Sequence, residues 1–286
     1  MSKHIKVNGC LLQINKQWRD LKRKQKQLIL ELARHEYEQF LRTHEKLPTH
    51  NSKEQLINKV YDLIEAQKIW IPYGEVYRVL CSLIAKWNRK QERIEQERLE
   101  RSEFLEDNIE KISKALERLK AGNEKYLMEN ANIGNTSQQL REQTAKDGQV
   151  PYAVIITCSD SRVIPESIFS AGIGELFVIR SAGFTIDNTA MGSIEYAVVH
   201  LGVPLIVVMG HTHCGAVDTA MKHEIISGKL RLIIREISKV IGKETNPYIA
   251  VKLNVKNGCE IIESAKLPAM TVGAVYHIDS GRVEFL

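Results

Sequence analysis

The chain has 286 residues, with 40 Lys and Arg against 35 Asp and Glu and a formal net charge of +5. Both signs are abundant, so nucleic-acid binding gains only weak support, chiefly from the basic stretch Lys16 to Lys26. A hydrophobic content of 43% excludes a disordered tail protein, and the length predicts two units or an enzyme domain with a large extension.

Residues 1–105 read as a small all-helical domain. One periodic segment runs through Trp18, Leu21, Leu28 and Leu32 towards Phe40 until Pro48 interrupts it. A second helix is expected from Ser52, with Gln55 as capping partner and Leu56, Val60 and Ile64 on one face. A third carries Val76, Leu80, Leu83, Ile84 and Trp87, then passes into the charged run Asn88 to Glu106, which predicts a long solvated helix. These stripes are core or helix-pairing surfaces, and His35, His44 and His50 are too scattered to form a site.

Beyond residue 105 the pattern changes. An amphipathic segment, Ile109 to Met128, precedes a polar stretch ending at Gly148. Short apolar strands follow at Tyr152 to Thr157, Glu175 to Ile179, Pro204 to Met209 and Thr271 to Ile278, with a crossover helix expected over Ala190 to Leu201. Strands buried on both faces and separated by helices imply an α/β fold with a mostly parallel central sheet flanked by helices, occupying residues 106–286. Ligands of such sheets gather beyond the carboxyl ends of the strands.

Two clusters fall at those ends. The first strand runs into Cys158-Ser-Asp160-Ser-Arg162 and the third into Gly210-His211-Thr-His-Cys214-Gly215. Two thiolates, an imidazole and a carboxylate make four zinc ligands of the accepted types, and sulfur favours zinc over calcium or magnesium. If Arg162 holds Asp160 in a bidentate pair, Cys158, His211 and Cys214 remain as constant ligands and a water position stays open; if Asp160 turns onto zinc, the site closes. A purely structural four-ligand zinc site is the bland alternative. The five cysteines, at 10, 81, 158, 214 and 259, are odd in number and widely spaced, so reduced thiols are expected rather than a disulfide framework. Cys10, Cys81 and Cys259 lack partners; His200, His223 and His277 stand outside a complete motif, and His213 has a proton-transfer role only as a minor reading.

Taken in order, these clusters resemble the zinc signature of the β-carbonic anhydrases. The resemblance spans about residues 109–286 and includes Ala115 to Asn123, Gly148-Gln149, Leu176 to Arg180, Gly192 to Ala197, Val272 to Tyr276 and Asp279-Ser-Gly281. It implies zinc on Cys158, His211 and Cys214, joined by Asp160 only in a closed state, and a catalytic dyad of Asp160 and Arg162. It also implies Gly215 as a backbone donor to substrate, and a pocket of Gln149, Phe177 and Tyr196 supplied partly by a neighbouring subunit of a homodimer or higher even-numbered oligomer. The implied reaction is reversible hydration of carbon dioxide to bicarbonate and a proton by zinc-bound hydroxide, without an organic cofactor.

Departures from the family pattern keep two further readings open. Phe184 stands where the family has a polar residue, predicting a lost hydrogen bond or a rebuilt subunit contact; Ala182 is smaller than usual; and the segment from Asn254 to Val272 looks short. One alternative is hydrolysis of carbon disulfide or carbonyl sulfide. The other is a regulatory protein that keeps the fold and contacts an unidentified partner through its helical extension. No apolar run spans a bilayer and the start at Met1 lacks an apolar signal segment, so no membrane partner and a cytoplasmic location are expected.

Overall fold

The computed structural model describes residues 4–7, 10–13, 15–128, 134–224 and 226–286, with side chains described from residue 15 onward. Cys10's side chain and residues 129–133 of the polar stretch thus lie outside the described residues. The chain divides into two compact units, Met1–Gln96 and Glu97–Leu286.

The first unit is built mainly from helices α1 (Arg23–His44), α2 (His50–Ala66) and the first part of α3 (Tyr73–Asp107). Their apolar stripes meet: Ile29, Ala33 and Tyr37 pack with Ile57, Val60, Ile64, Val76, Leu80 and Ile84 in one core. Trp18 belongs to a single 3-10 turn before α1 rather than to the helix itself. The second helix starts earlier than its Ser52-Gln55 pair suggests, because the Thr49 amide donates to Ser52 Oγ at 2.8 Å and makes Thr49 the cap. Strands β1 (His4–Val7) and β2 (Cys10–Gln13) add an antiparallel hairpin that helical periodicity does not announce. Its sequence signal is Asn8-Gly9 between two short β-prone runs.

In the second unit α4 (Ile109–Tyr126) and α5 (Gln138–Asp147) precede the sheet, and Ser137 caps α5 by accepting from the Leu140 amide at 3.3 Å. The polar stretch therefore contains a helix as well as a loop. The sheet strands are β3 (Ala153–Cys158), β4 (Leu176–Ser181), β5 (Leu205–His211), β6 (Met270–Tyr276) and β7 (Val283–Phe285), in the order β4-β3-β5-β6-β7. All neighbouring pairs are parallel except β6 with β7.

Strands β3 and β5 are buried along their whole length. Alternate residues feed two cores. Val154, Ile156, Ile206 and Val208 pack with α7 (Asn188–Glu195), α8 (Gly215–Met221), α9 (Leu230–Ile241) and α10 (Pro247–Ser264), while Ala153, Ile155, Val207 and Met209 pack with α4 and the short α6 (Pro165–Ile168). The expected crossover helix is α7 continued by a π turn over Tyr196–His200. Each fully buried Val or Ile contributes about 1.5–3 kcal/mol, so this double-faced core fixes β3 beside β5 and brings their carboxyl ends together.

Candidate metal centre

Adjacency of β3 and β5 converts two distant motifs into one site. Thr157 Oγ1 donates to the Met209 carbonyl at 2.8 Å, locking the strands one residue before Cys158 and two before His211. The chain then turns through Thr212 and His213, the latter at a left-handed φ of 56°, and brings Cys214 back at the start of α8. The ligand atoms of Cys158, His211 and Cys214 all lie within 4.8 Å of one another, and all three residues are buried.

The imidazole shows which atom faces the cluster. His211 Nδ1 lies 2.9 Å from the Thr212 carbonyl, which can only accept, so Nδ1 carries the proton. Nε2, the atom left to face the cluster, is buried with no hydrogen-bond partner. An orphaned imidazole nitrogen beside two buried thiols fits a metal ion, with the Thr212 carbonyl fixing the ring.

The thiols are electrically prepared for the same role. Cys158 is pushed down to about 4, first by the hydrogen bond from Cys214, with burial opposing and the Asp160 and Gly183 amides assisting. Cys214 is pushed up by that hydrogen bond and by burial. Cysteine binds a metal as thiolate, so a cation arriving at this pair would release the protons that the sulfurs hold.

Asp160 lies outside this group of three because Arg162 holds it. Arg162 Nε donates to Oδ1 at 2.9 Å, Nη2 to Oδ2 at 2.7 Å, and the Arg162 amide to Oδ1 at 3.0 Å. This fork, the largest influence on Asp160, keeps its carboxylate well below the usual range. Arg162 Nη2 also donates to the His213 carbonyl at 3.0 Å, tying the two ligand turns together. Arg180, the last residue of the Leu176 to Arg180 match, adds a brace to which the sequence assigns no role. Its Nε donates to the Cys158 carbonyl at 3.1 Å and its Nη2 to the Asp160 carbonyl at 2.7 Å.

The family model described as carbonic anhydrase matches residues 153–283, wholly within the second unit. A carbonic anhydrase of Mycolicibacterium smegmatis is 36% identical over 162 residues, covering 50% of this chain and 79% of that protein. The chain belongs to the β-carbonic anhydrase family. Carbonic anhydrase 2 of Mycobacterium tuberculosis H37Rv is 50% identical over 103 residues, which is 36% of this chain and 49% of that protein. Among solved structures, tetrameric β-carbonic anhydrases from the filamentous ascomycete Sordaria macrospora give a TM-score of 0.46 at 27% identity, covering 52% of this chain and 87% of that one.

Within this β-carbonic anhydrase chain the residues expected to line a pocket do not all gather at the cysteines. Gly215 follows Cys214 directly, but Phe177 pairs with Val154, four residues before Cys158 on β3. At about 3.3 Å per residue that is roughly 13 Å along the strand. Tyr196 packs near Phe177, with ring centroids 6.3 Å apart, and Gln149 is exposed before β3. Tyr196 remains 48% exposed, and Val150, beside Gln149, is 82% exposed.

Phe184 turns into the core instead of towards a subunit contact. Its ring is 2% exposed and packs with Val251 and Val255 of α10. The ring fits because position 210 is glycine: a Cβ there would stand 2.7 Å from Val255 Cγ2, 2.8 Å from Val251 Cγ1 and 3.1 Å from Phe184 Cζ. Ala182 opens the 3-10 turn that contains Phe184, and His213 is exposed. Cys259 is partly buried on α10, where burial pushes its thiol up to about 11, as suits a packing residue. His277 is the exception to the expectation of isolated histidines: its Nε2 is 3.4 Å from Glu284 Oε2, in a cluster with Tyr248 and Lys252.

Proposed function

We propose that this chain catalyses the reversible hydration of carbon dioxide, as a zinc-dependent carbonate dehydratase whose metal is held by Cys158, His211 and Cys214. One observation carries the zinc assignment: the buried Nε2 of His211 has no hydrogen-bond partner, and the ligand atoms of His211 and two buried cysteines lie within 4.8 Å of one another. When bound, zinc supplies a Lewis acid that makes hydroxide available from water near neutral pH.

The remaining work falls to the chain. Asp160, pinned by the Arg162 fork, points acceptor oxygens without swinging onto the metal, and so can take a proton from attacking water and pass it to solvent. Turning that carboxylate inward would require breaking both side-chain bonds to Arg162, and the closed arrangement would follow from that rearrangement. The Gly215 amide is suited to donate to a substrate oxygen. Gln149, Phe177 and Tyr196, remote along the strand from the chain's own cysteines, would line the pocket of a second copy, with the rings excluding water around carbon dioxide and Gln149 donating to bicarbonate. The active form in this reading is a homodimer or an even multiple of it.

Residues 1–105 are read as an extension to an enzyme domain of residues 106–286, available to an as yet unidentified partner. No helix among the described residues is long and apolar enough to cross a membrane, and a cytoplasmic setting keeps the thiols reduced.

Stopped-flow carbon dioxide hydration on zinc-quantified full-length protein tests the reading, with Cys214→Ser as comparison. Expected are one zinc per wild-type chain with rapid hydration, and loss of both in the variant. Full zinc content and normal turnover in Cys214→Ser would refute the ligand assignment. Carbonyl sulfide and carbon disulfide assayed in parallel separate the substrate readings.

A further inference from the structure

The sulfur of Cys158 is held by more than its own strand. The Gly183 amide donates to Cys158 Sγ at 3.3 Å, from the turn after β4. That peptide is fixed in space: Gly183 has φ 65° and ψ 20°, and a Cβ there would stand 2.6 Å from Ile237 Cδ1 and 3.1 Å from Ala216 Cβ. Only glycine fits, so the 183 peptide can approach the sulfur closely.

The carbonyl of the same glycine accepts from Asn254 Nδ2 at 3.0 Å. Asn254 lies on α10, is 6% exposed, and reaches across 71 residues of sequence to make this contact. A buried carboxamide in a face that otherwise supplies Ala250, Val251 and Val255 to the core is costly unless it is used. Its neighbour on the turn, Phe184, has no polar atom to offer the site. Asn254 therefore supplies the side-chain hydrogen bond that restrains Gly183, through its carbonyl, from the helix side.

We infer that Asn254 is a positioning residue of the metal centre, anchoring Gly183 through its carbonyl so that the amide on the other side of the same residue stays on the Cys158 sulfur. The inference rests on reading the Cys158, His211 and Cys214 cluster as a zinc site. Asn254 touches neither metal nor substrate. It is one residue removed from a ligand, where outer contacts are worth roughly 10–100-fold in metal affinity.

The test compares full-length wild type, Asn254→Leu, the smaller Asn254→Ala, and a packing control, Ile262→Ala, which removes a 1% exposed side chain from the same helix. Zinc affinity is measured by chelator competition. The thiolate-to-cobalt absorption of the cobalt-substituted protein reports the sulfur directly, and urea unfolding of metal-free protein reports packing. Both Asn254 variants should bind zinc roughly 10–100-fold more weakly and change the thiolate absorption. Ile262→Ala should lower the unfolding midpoint and leave zinc affinity and absorption near wild type. Unchanged affinity and absorption in either folded Asn254 variant would overturn the inference. So would an equal loss in Ile262→Ala, since packing would then explain it. Wild type that binds no zinc at all would instead defeat the metal-centre reading on which the inference stands.

Discussion

Replacing Phe184 by asparagine, the kind of residue the family pattern leads one to expect there, should destabilise this chain. The ring is 2% exposed, and its backbone has a left-handed φ of 46°. Emptying a buried phenylalanine site costs about 3–5 kcal/mol. Asparagine refills part of the volume, but its carboxamide would face the methyls of Val251 and Val255, and an unmet buried amide costs about 1–3 kcal/mol. Asparagine tolerates the left-handed region better, which returns about 1 kcal/mol. The net expectation is a loss of about 4 kcal/mol, carried by packing rather than by the metal.

The measurement is urea unfolding of metal-free, reduced protein followed by far-ultraviolet circular dichroism. At a slope of about 3 kcal/mol per molar urea, the midpoint of the second unit should fall by over about 1 M. Trp18, Trp70 and Trp87 all lie within residues 1–96, so tryptophan fluorescence follows the first unit and provides an internal reference expected to stay in place. A loss under about 1 kcal/mol would refute the argument that the core is built around this ring.

Gly210→Ala should cost about 1–3 kcal/mol in the same assay, because the added methyl meets two valines and the Phe184 ring at once; an unchanged midpoint would show that β5 and α10 can separate freely. Asp160→Asn should keep the fold and zinc while slowing hydration by about 10²–10⁴-fold, and wild-type turnover would remove Asp160 from the mechanism. Glu284 is held below its ordinary value first by the Tyr248 hydroxyl, against burial, with Lys252 and His277 assisting. Such a depressed carboxylate stabilises the fold above its unfolded value of about 4.3 and loses that contribution as pH falls through the lower folded value. Wild type should therefore exceed Glu284→Gln in stability at neutral pH and approach it on acidification below about pH 4; a constant difference down to about pH 2 would contradict this.

The candidate ligand cluster is legible in the order of residues because two short motifs carry donor types that zinc selects, each directly after an apolar run. The sheet strands are legible for a related reason: burial on both faces leaves continuous runs such as Leu205 to Met209. The pairing of the two amino-terminal strands is masked by the stronger helical periodicity after it. Helix α5 is hidden because its sequence, Gln138 to Asp147, buries no residue and so has no apolar stripe to detect.

Donor chemistry and hydrophobic period are local properties, so the chain's residue order suffices to specify which atoms are available for a metal and which elements carry them. Only packing in three dimensions turns Phe184 inward over Gly210 and brings Asn254 to the Gly183 carbonyl from 71 residues away. Those outcomes depend on which buried groups meet across the packed sheet and helices, and a polar group in such a place takes whatever partner the fold brings within reach.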